Sequence, residues 1–394
     1  MDMTLTLKDT LPSDGTAGTL VGRAWVPGNP GGPCVVLVKA DGLYDLTPRY
    51  PTLSALLNER NPTEAAQRAG REAKRICGLE EAVANSPSDH SAPDKPYLLA
   101  PADLQALKAR GVTFVLSMLE RVIEERAKGD PTAANGLRAA ISSEIGGDLA
   151  RVKPGSADAE KLKLALIQRG IWSQYLEVGI GPDAEIFTKA QPMSAVGTGA
   201  AIGILPASKW NNPEPEIVLV VNSRGTIVGA SLGNDVNLRD LEGRSALLLG
   251  KSKDNNASAA VGPFIRLFDR TFTLDDVRRA EVKLTVEGAD GFRLTGSSQM
   301  SRISRDPARL VAEMMGAHHQ YPDGAALYLG TMFAPIADRD APGQGFTHHE
   351  GDVVTIASDR LGALTNVVTT CERAPPWSFG TAALMRNLAK RGLI

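Results

Sequence analysis

The sequence is poor in the residues that would place it in several functional classes. Only three of its 394 residues are cysteine, at positions 34, 77 and 371. An odd number of distant thiols without CxxC spacing excludes a disulfide framework and a thiolate zinc knot, and all three are expected as small buried hydrophobes. Charge of one sign is also missing: 43 Lys+Arg stand against 45 Asp+Glu, a formal net charge of -2, which argues against a nucleic-acid partner. No apolar run reaches the roughly 18 residues of a spanning helix. The start, MDMTLTLKDTLPSDG, has neither a basic segment nor an apolar core of the secretory type, so a cytoplasmic protein without membrane contact is expected. Glycine never falls into GxGxxG before a helix or into a P-loop, which leaves nucleotide binding without support. Histidine is scarce, and the pairs His318-His319 and His348-His349 lack HExxH or His-x-Glu spacing, so they read as loop or core residues.

What the chain does have is enough length and apolar content (43%) for a large core. Two short β-like runs, GTLVGRAWV (18–26) and CVVLVKADGLYDLT (34–47), flank the turn-rich VPGNPGGP (26–33), which predicts a hairpin. Residues 51–84 turn helical, and the Pro/Ser/Asp-rich 81–96 reads as a linker. The expected division is therefore a small N-terminal module and linker over 1–95 and a catalytic domain over 96–394. TFVLSMLERVIEERAKGD (113–130) carries an apolar helical stripe, with Ser117, Glu120 and Glu124 on its other side. Two more helical stretches, near 135–150 and 157–170, precede a mostly β region from about 185 to 368.

The chemistry concentrates in NNPEPEIVLVVNSRGTIVGASLGNDVNLRD (211–240). Side chains alternate faces along a strand, so Glu214 and Glu216 project to one side, where two like charges call for a cation. A four-residue NSRG loop pairing Val221 with Thr226 sets Glu216 opposite Ser231 and Glu214 opposite Gly233. Asp235 then keeps the same parity. Three carboxylates on one face suit a cation that takes only oxygen ligands, Mg²⁺ first, with Mn²⁺ or Ca²⁺ as alternatives. Acidic residues on the solvent face of an antiparallel strand are the competing explanation. Against it, EIVLVV is apolar on both faces after Glu216, and a doubly buried strand seldom opens with two unpaired carboxylates.

Taken in order, PEPE (213–216), GNDVNLRD (233–240), SKDNNASAAVGP (252–263) and LGTMFAP (329–335) resemble the fumarylacetoacetate hydrolase family. VTFVLSMLERVIEERAKGD, IWSQYLEVGIGPDAEIFTK, NDVNLRDLEGRSALLL and the C-terminal WSFGTAALMRNLAKRGL are similar to its 2-keto-3-deoxy-pentonate dehydratase branch. The resemblance implies an α+β, mainly β fold: a fumarylacetoacetase-like mixed β-roll catalytic domain with a lid helix, beside a small N-terminal α/β module. It implies Mg²⁺ on Glu214, Glu216 and Asp235, an active-site lysine at Lys253 rather than Lys251, and a carboxylate-binding Thr331. It also implies assembly as a homodimer or homotetramer. Family hydrolases carry Asn-Tyr-x-x-His-x-x-Glu on the lid helix. This chain has Thr113-Phe114 and then Ser117 in place of the histidine, with Glu120 matching the glutamate. A serine alone does not activate water near neutral pH, which points away from hydrolysis and toward a lyase.

The implied reaction is dehydration of a 2-keto-3-deoxy-pentonate, a small 2-oxo sugar acid, to 2,5-dioxopentanoate. Lys253 or Glu185 would take a C3 proton, and Glu120 or Glu185 would protonate the leaving C4 hydroxyl. Glu185 resembles a dehydratase acid/base by its offset from Glu214, although a loop carboxylate paired with a surface Lys189 reads equally well. Phe114 and Ser117 would close over the sugar chain. The alternatives are a hydrolase or decarboxylase of a 2,4-diketo acid on the same metal site, and a non-enzymatic sugar-acid binding protein.

Overall fold

The computed structural model describes residues 3–87, 92–149, 151–333 and 335–394. The N-terminal stretch forms β1 (Leu20–Val26), β2 (Gly32–Lys39), β3 (Gly42–Asp45), α1 (Leu53–Leu57), α2 (Pro62–Glu72), β4 (Arg75–Cys77) and α3 (Leu79–Ala84). β1 and β2 pair antiparallel, Val26 opposite Gly32, as the hairpin flanking the turn-rich segment. The expected linker differs at its start, because Ala82 and Val83 continue α3 and bury against the core of the N-terminal strands. Its interior, 88–91, lies outside the described residues. β5 (Tyr97–Leu99) then pairs with β1.

The chain continues through β6 (Ala106–Arg110), α4 (Val115–Arg126), α5 (Pro131–Leu149), α6 (Ala157–Gln168), α7 (Gln174–Ile180), β7 (Ile186–Ala190), β8 (Ala201–Ile204), β9 (Asn211–Asn212), β10 (Pro215–Val221) and β11 (Ile227–Asp235). After these come β12 (Asn237–Leu238), α8 (Arg239–Glu242), α9 (Leu249–Lys253), β13 (Ala259–Leu267), β14 (Glu281–Glu287), β15 (Arg293–Gln299), β16 (Ala325–Tyr328), β17 (Val353–Ser358) and β18 (Gly362–Thr370).

One long sheet runs in the order β4-β3-β2-β1-β13-β11-β10-β16-β6-β7, with β5 also on β1. A five-stranded sheet, β15-β14-β17-β18-β8, faces it. The main core lies between the two: Ile217, Leu219, Val221 and Leu327 of the long sheet meet Leu284, Val286, Ile356 and Leu364 of the other. Because β1 pairs with β13, the N-terminal strands share a sheet with the strands of the second half. On its other face the long sheet buries Val218 and Tyr328, and helices α4 to α7 build a separate core around Met118, Val122 and Leu176. This explains why β10 is apolar on both faces.

The β10–β11 hairpin has a different register from the one the loop length suggests. A bulge at Val220/Val221 pairs Val221 with Ile227, Val218 with Ser231 and Glu216 with Gly233. The slip relative to expectation is one residue at Val221 and two from Val220 to the ligand end. Side-chain parity has period two, so beyond the bulge the shift leaves the ligand residues on their expected face.

Candidate metal centre

β10 and β11 bring Glu214, Glu216 and Asp235 together, with one carboxylate oxygen from each within 4.8 Å of the others. All three are buried. The Asp235 N–H donates to the Glu214 carbonyl at 3.1 Å, which locks the two strand ends that carry the ligands. Lys253, at the end of α9, donates from Nζ to Glu214 Oε2 at 2.7 Å and to Asp235 Oδ2 at 3.1 Å. Lys189 on β7 was expected at the surface if Glu185 were a plain loop carboxylate. It is fully buried, with its Nζ 2.8 Å from Asp235 Oδ1, and it also donates to the Val236 and Lys253 carbonyls. Burial works against the charge on Asp235, yet Lys189 and Lys253 hold its carboxyl below the ordinary range. Burial likewise works against Lys253, and the carboxylates of Asp235, Glu214 and Glu242 outweigh it and keep the ammonium charged.

Among the described residues Glu216 makes no ion pair. Its Oε2 accepts the Gly330 N–H at 2.6 Å, while burial first, then Asp235 and Glu214, push its carboxyl well above the usual carboxylate range. Lys253 and Arg121 pair with Glu214 and Lys189 and Lys253 with Asp235, and the carboxylate left without an ion pair among the described residues is Glu216. An all-oxygen, buried, negatively charged cluster fits a divalent cation such as Mg²⁺. Gly330 is required here: its φ is +84°, and a Cβ would stand 2.0 Å from Thr113 Oγ1.

The remaining sequence-predicted residues divide. Glu185 lies one residue before β7 and is half-buried. Among the described residues it has no hydrogen bond or ion pair. Burial raises its carboxyl, opposed by the charges of Arg121, Lys253 and Arg110, so it belongs to the same electrostatic chamber as the triad. Thr331 is buried next to Gly330, its Oγ1 accepting the Phe333 N–H at 3.1 Å. Glu120 is not brought to the triad: it is held by Arg138 at 2.7 and 2.9 Å and by Arg239 at 3.0 Å. Ser117 Oγ donates to the Phe114 carbonyl at 2.9 Å and accepts from the Phe114 N–H at 3.3 Å, so it caps its own helix. Phe114, expected over the substrate, is 1% exposed and packs into the main core. Its apolar ring gains more there than at a wet rim. Cys34 and Cys77 are buried as expected, but Cys371 is only half-buried. His348 is buried beside Asp352, and His349 is half-exposed between Asp340 and Asp290, the latter from the β14–β15 turn.

The residues that sequence reasoning missed lie on α4 and α8. The charged run ERVIEER looks like a solvated face, yet Glu124 is 0% exposed. Arg121 reaches Glu124 at 2.6 Å, Glu214 at 2.5 Å and Glu242 at 3.3 Å. The lid helix is thereby docked onto a metal-ligand candidate, whose two oxygens are divided between Arg121 and Lys253. Arg239 continues the network to Glu124 at 2.7 Å and lies over the Trp210 ring. Burial raises the Glu242 carboxyl to about 7, against the pull of Arg121 and Lys253. The available signal was the spacing Ser117, Arg121, Glu124, one helical face pointing inward.

Residues 176–369 match the model of the fumarylacetoacetate (FAA) hydrolase C-terminal family. A probable 2-keto-3-deoxyxylonate dehydratase of Haloferax volcanii is 32% identical over 196 residues, 50% of this chain and 64% of that protein. A 2-dehydro-3-deoxy-D-arabinonate dehydratase of Saccharolobus solfataricus is 32% identical over 187 residues, 47% of this chain and 58% of that protein. The matches thus span about three fifths of the length of these curated relatives. Among solved structures, 2-keto-3-deoxy-D-arabinonate dehydratase complexed with magnesium and 2,5-dioxopentanoate aligns with a TM-score of 0.56 at 20% identity, covering 89% of this chain and 99% of that one. A fumarylacetoacetate hydrolase from Exiguobacterium antarcticum aligns with a TM-score of 0.52 at 16% identity, with the same coverage. These likenesses establish the fold.

Proposed function

We propose that this chain, whose residues 176–369 match the model of the fumarylacetoacetate hydrolase family, is a Mg²⁺-dependent dehydratase of a 2-keto-3-deoxy-pentonate derived from D-xylose or L-arabinose, yielding 2,5-dioxopentanoate. The observation that carries the reading is the buried Glu214–Glu216–Asp235 cluster with the unbonded Glu185 carboxyl beside it. The dehydratase names of the relatives support the choice of substrate, and the absence of a histidine at Ser117 supports elimination over hydrolysis.

Mg²⁺ held by Glu214, Glu216 and Asp235 would supply Lewis acidity to the 2-oxo group and so acidify the C3 protons. Glu185 is the proton-transfer group of this reading, because Glu120 is tied to two arginines and Lys253 to two carboxylates. Glu185 takes a C3 proton and returns it to the C4 hydroxyl, which leaves as water. A shift of a C5 proton to C3 and ketonisation then gives the aldehyde, so atoms balance without a redox partner. Charged Lys253 steadies the enolate oxygen. Thr331 binds the substrate carboxylate, while α4, with Ser117 at its start and Phe114 behind it, walls off water. A cytoplasmic location and a homodimer or homotetramer complete the reading, the latter checked by light scattering. Residues 1–95 serve as a module whose strands extend the sheet of the ligand strands.

The test is an end-point assay of EDTA-stripped protein on 2-keto-3-deoxy-D-xylonate and its L-arabinose-derived isomer, with the aldehyde product detected by a coupled dehydrogenase. Mg²⁺-dependent product that Glu214→Ala abolishes is the expected result. No product from either isomer, with pyruvate released from a 2,4-diketo acid, would move the protein to the hydrolase side.

A further inference from the structure

Arg110 closes β6 and is 2% exposed. Its Nη1 donates to the Gly111 carbonyl at 2.5 Å, but Nε and Nη2 have no partner. Among the described residues no carboxylate forms an ion pair with it. Two acids are near enough to be felt, Glu313 and Glu185, and neither is available. Glu313 is engaged by the Ala184 N–H at 3.0 Å and by Arg309 Nε at 2.9 Å. β6 pairs Arg110 with Ile186, so the neighbouring Glu185 projects to the opposite face, toward the metal centre.

The charge that acts on Arg110 most strongly is a second cation. Arg305 is also buried; its Nη2 donates to the Val178, Gly181 and Asp183 carbonyls, its Nη1 to the Pro182 carbonyl, and its Nε has no partner. Glu313 stands 3.6 Å from it. Burial and the charge of Arg305 lower the Arg110 guanidinium to about 9, and at neutral pH it remains charged. Ser304, next to Arg305 in the chain, ties that segment to the turn after Arg110 by donating its N–H to the Thr113 carbonyl at 2.7 Å, and its hydroxyl has no partner among the described residues. Ser304 lines a cavity of about 680 Å³ with Phe114, Ile303 and Met332. The turn joining Arg110 to Thr113 holds Val112 at φ +46°, a conformation that a β-branched residue keeps only when its surroundings impose it.

A water molecule can take unbonded N–H donors but cannot balance a buried charge, and an isolated buried cation is tolerated only when paired. We infer that Arg110, Arg305 and Ser304 form a binding site for a small monoanion, chloride or a short carboxylate, behind the cavity that Ser304 lines beside Phe114. The ion would pin the strained 110–113 turn and with it the first turn of α4. The site lies on the face of the sheet away from the metal ligands, so it does not depend on the reaction assigned to them.

The test uses the full chain in a bulky sulfonate buffer at fixed ionic strength, titrated with sodium chloride or sodium acetate while the thermal midpoint is followed by circular dichroism. A saturable rise of about 2 °C at ten times the dissociation constant is expected, together with an anomalous peak between the two guanidiniums in bromide-soaked crystals. Arg110→Met should lose both signals. Ser304→Ala, a mild change, should weaken saturation several-fold and serves if Arg110→Met does not fold. A response to chloride alone marks a halide site, and one to acetate alone a carboxylate site; either supports the inference. An identical midpoint in every salt, with only water between Arg110 and Arg305, overturns it.

Discussion

Glu214 and Asp235 are paired with Lys189, Lys253 and Arg121 while Glu216 makes no ion pair among the described residues, and removing its negative charge should help the metal-free protein while destroying its ability to hold the ion. Glu216→Gln is expected to raise the thermal midpoint in EDTA and to abolish the further rise that Mg²⁺ gives the parent, both read by calorimetry. Glu185→Gln should lower kcat by about 10²–10⁴ and leave Mg²⁺ affinity by titration calorimetry within about twofold, because the carboxyl touches no metal ligand. Glu120→Gln reverses that pattern, with stability lost through Arg138 and Arg239 and kcat changed far less. Glu242 sets a pH effect. Its folded carboxyl, near 7 against an ordinary 4.5, binds its proton more tightly than the unfolded chain does. Its contribution to stability is therefore full below about 4.5 and falls as pH rises toward 7. Urea midpoints of the metal-free protein should fall across that window, and Glu242→Gln should flatten the fall.

At the scale of elements, α4 is the one that joins sheet, metal centre and helical core. Its apolar stripe, Met118, Leu119, Val122 and Ile123, packs among the helices, and its polar face is nailed inward by Arg121 rather than left in water. Arg121→Met leaves three buried carboxylates short of a cation. It should cost about 3–5 kcal/mol in urea unfolding, with part of the loss recovered in Mg²⁺ as the ion takes over the charge of Glu214. The β10–β11 hairpin makes the opposite point. Its loop and bulge together moved the register at the ligand end by two residues and changed nothing about which side chains face the ion, since only an odd slip there would have turned Glu214 and Glu216 away from Asp235.

Across the whole molecule, the long sheet carries the N-terminal strands and the ligand strands as neighbours through β1 and β13. Among the described residues no helix is long and apolar enough to cross a membrane. The face parity of Glu214, Glu216 and Asp235 was legible in the sequence because it depends on strand period and one short loop, both local properties. The apolar stripe of α4 and the hairpin of β1 and β2 were legible for the same reason. Nothing local distinguishes Lys189 or Glu124 from surface charges, and their burial follows from packing against elements far along the chain. Arg121 and Glu214 are 93 residues apart, and Arg239 and Glu120 are 119 apart. Pattern determined which residues share a face. Only tertiary packing decided which cation reaches which carboxylate, and so left Glu216 short of charge, Glu185 unbonded and Arg110 unpaired, because charge balance in a buried site is a sum over segments that meet only in the folded chain.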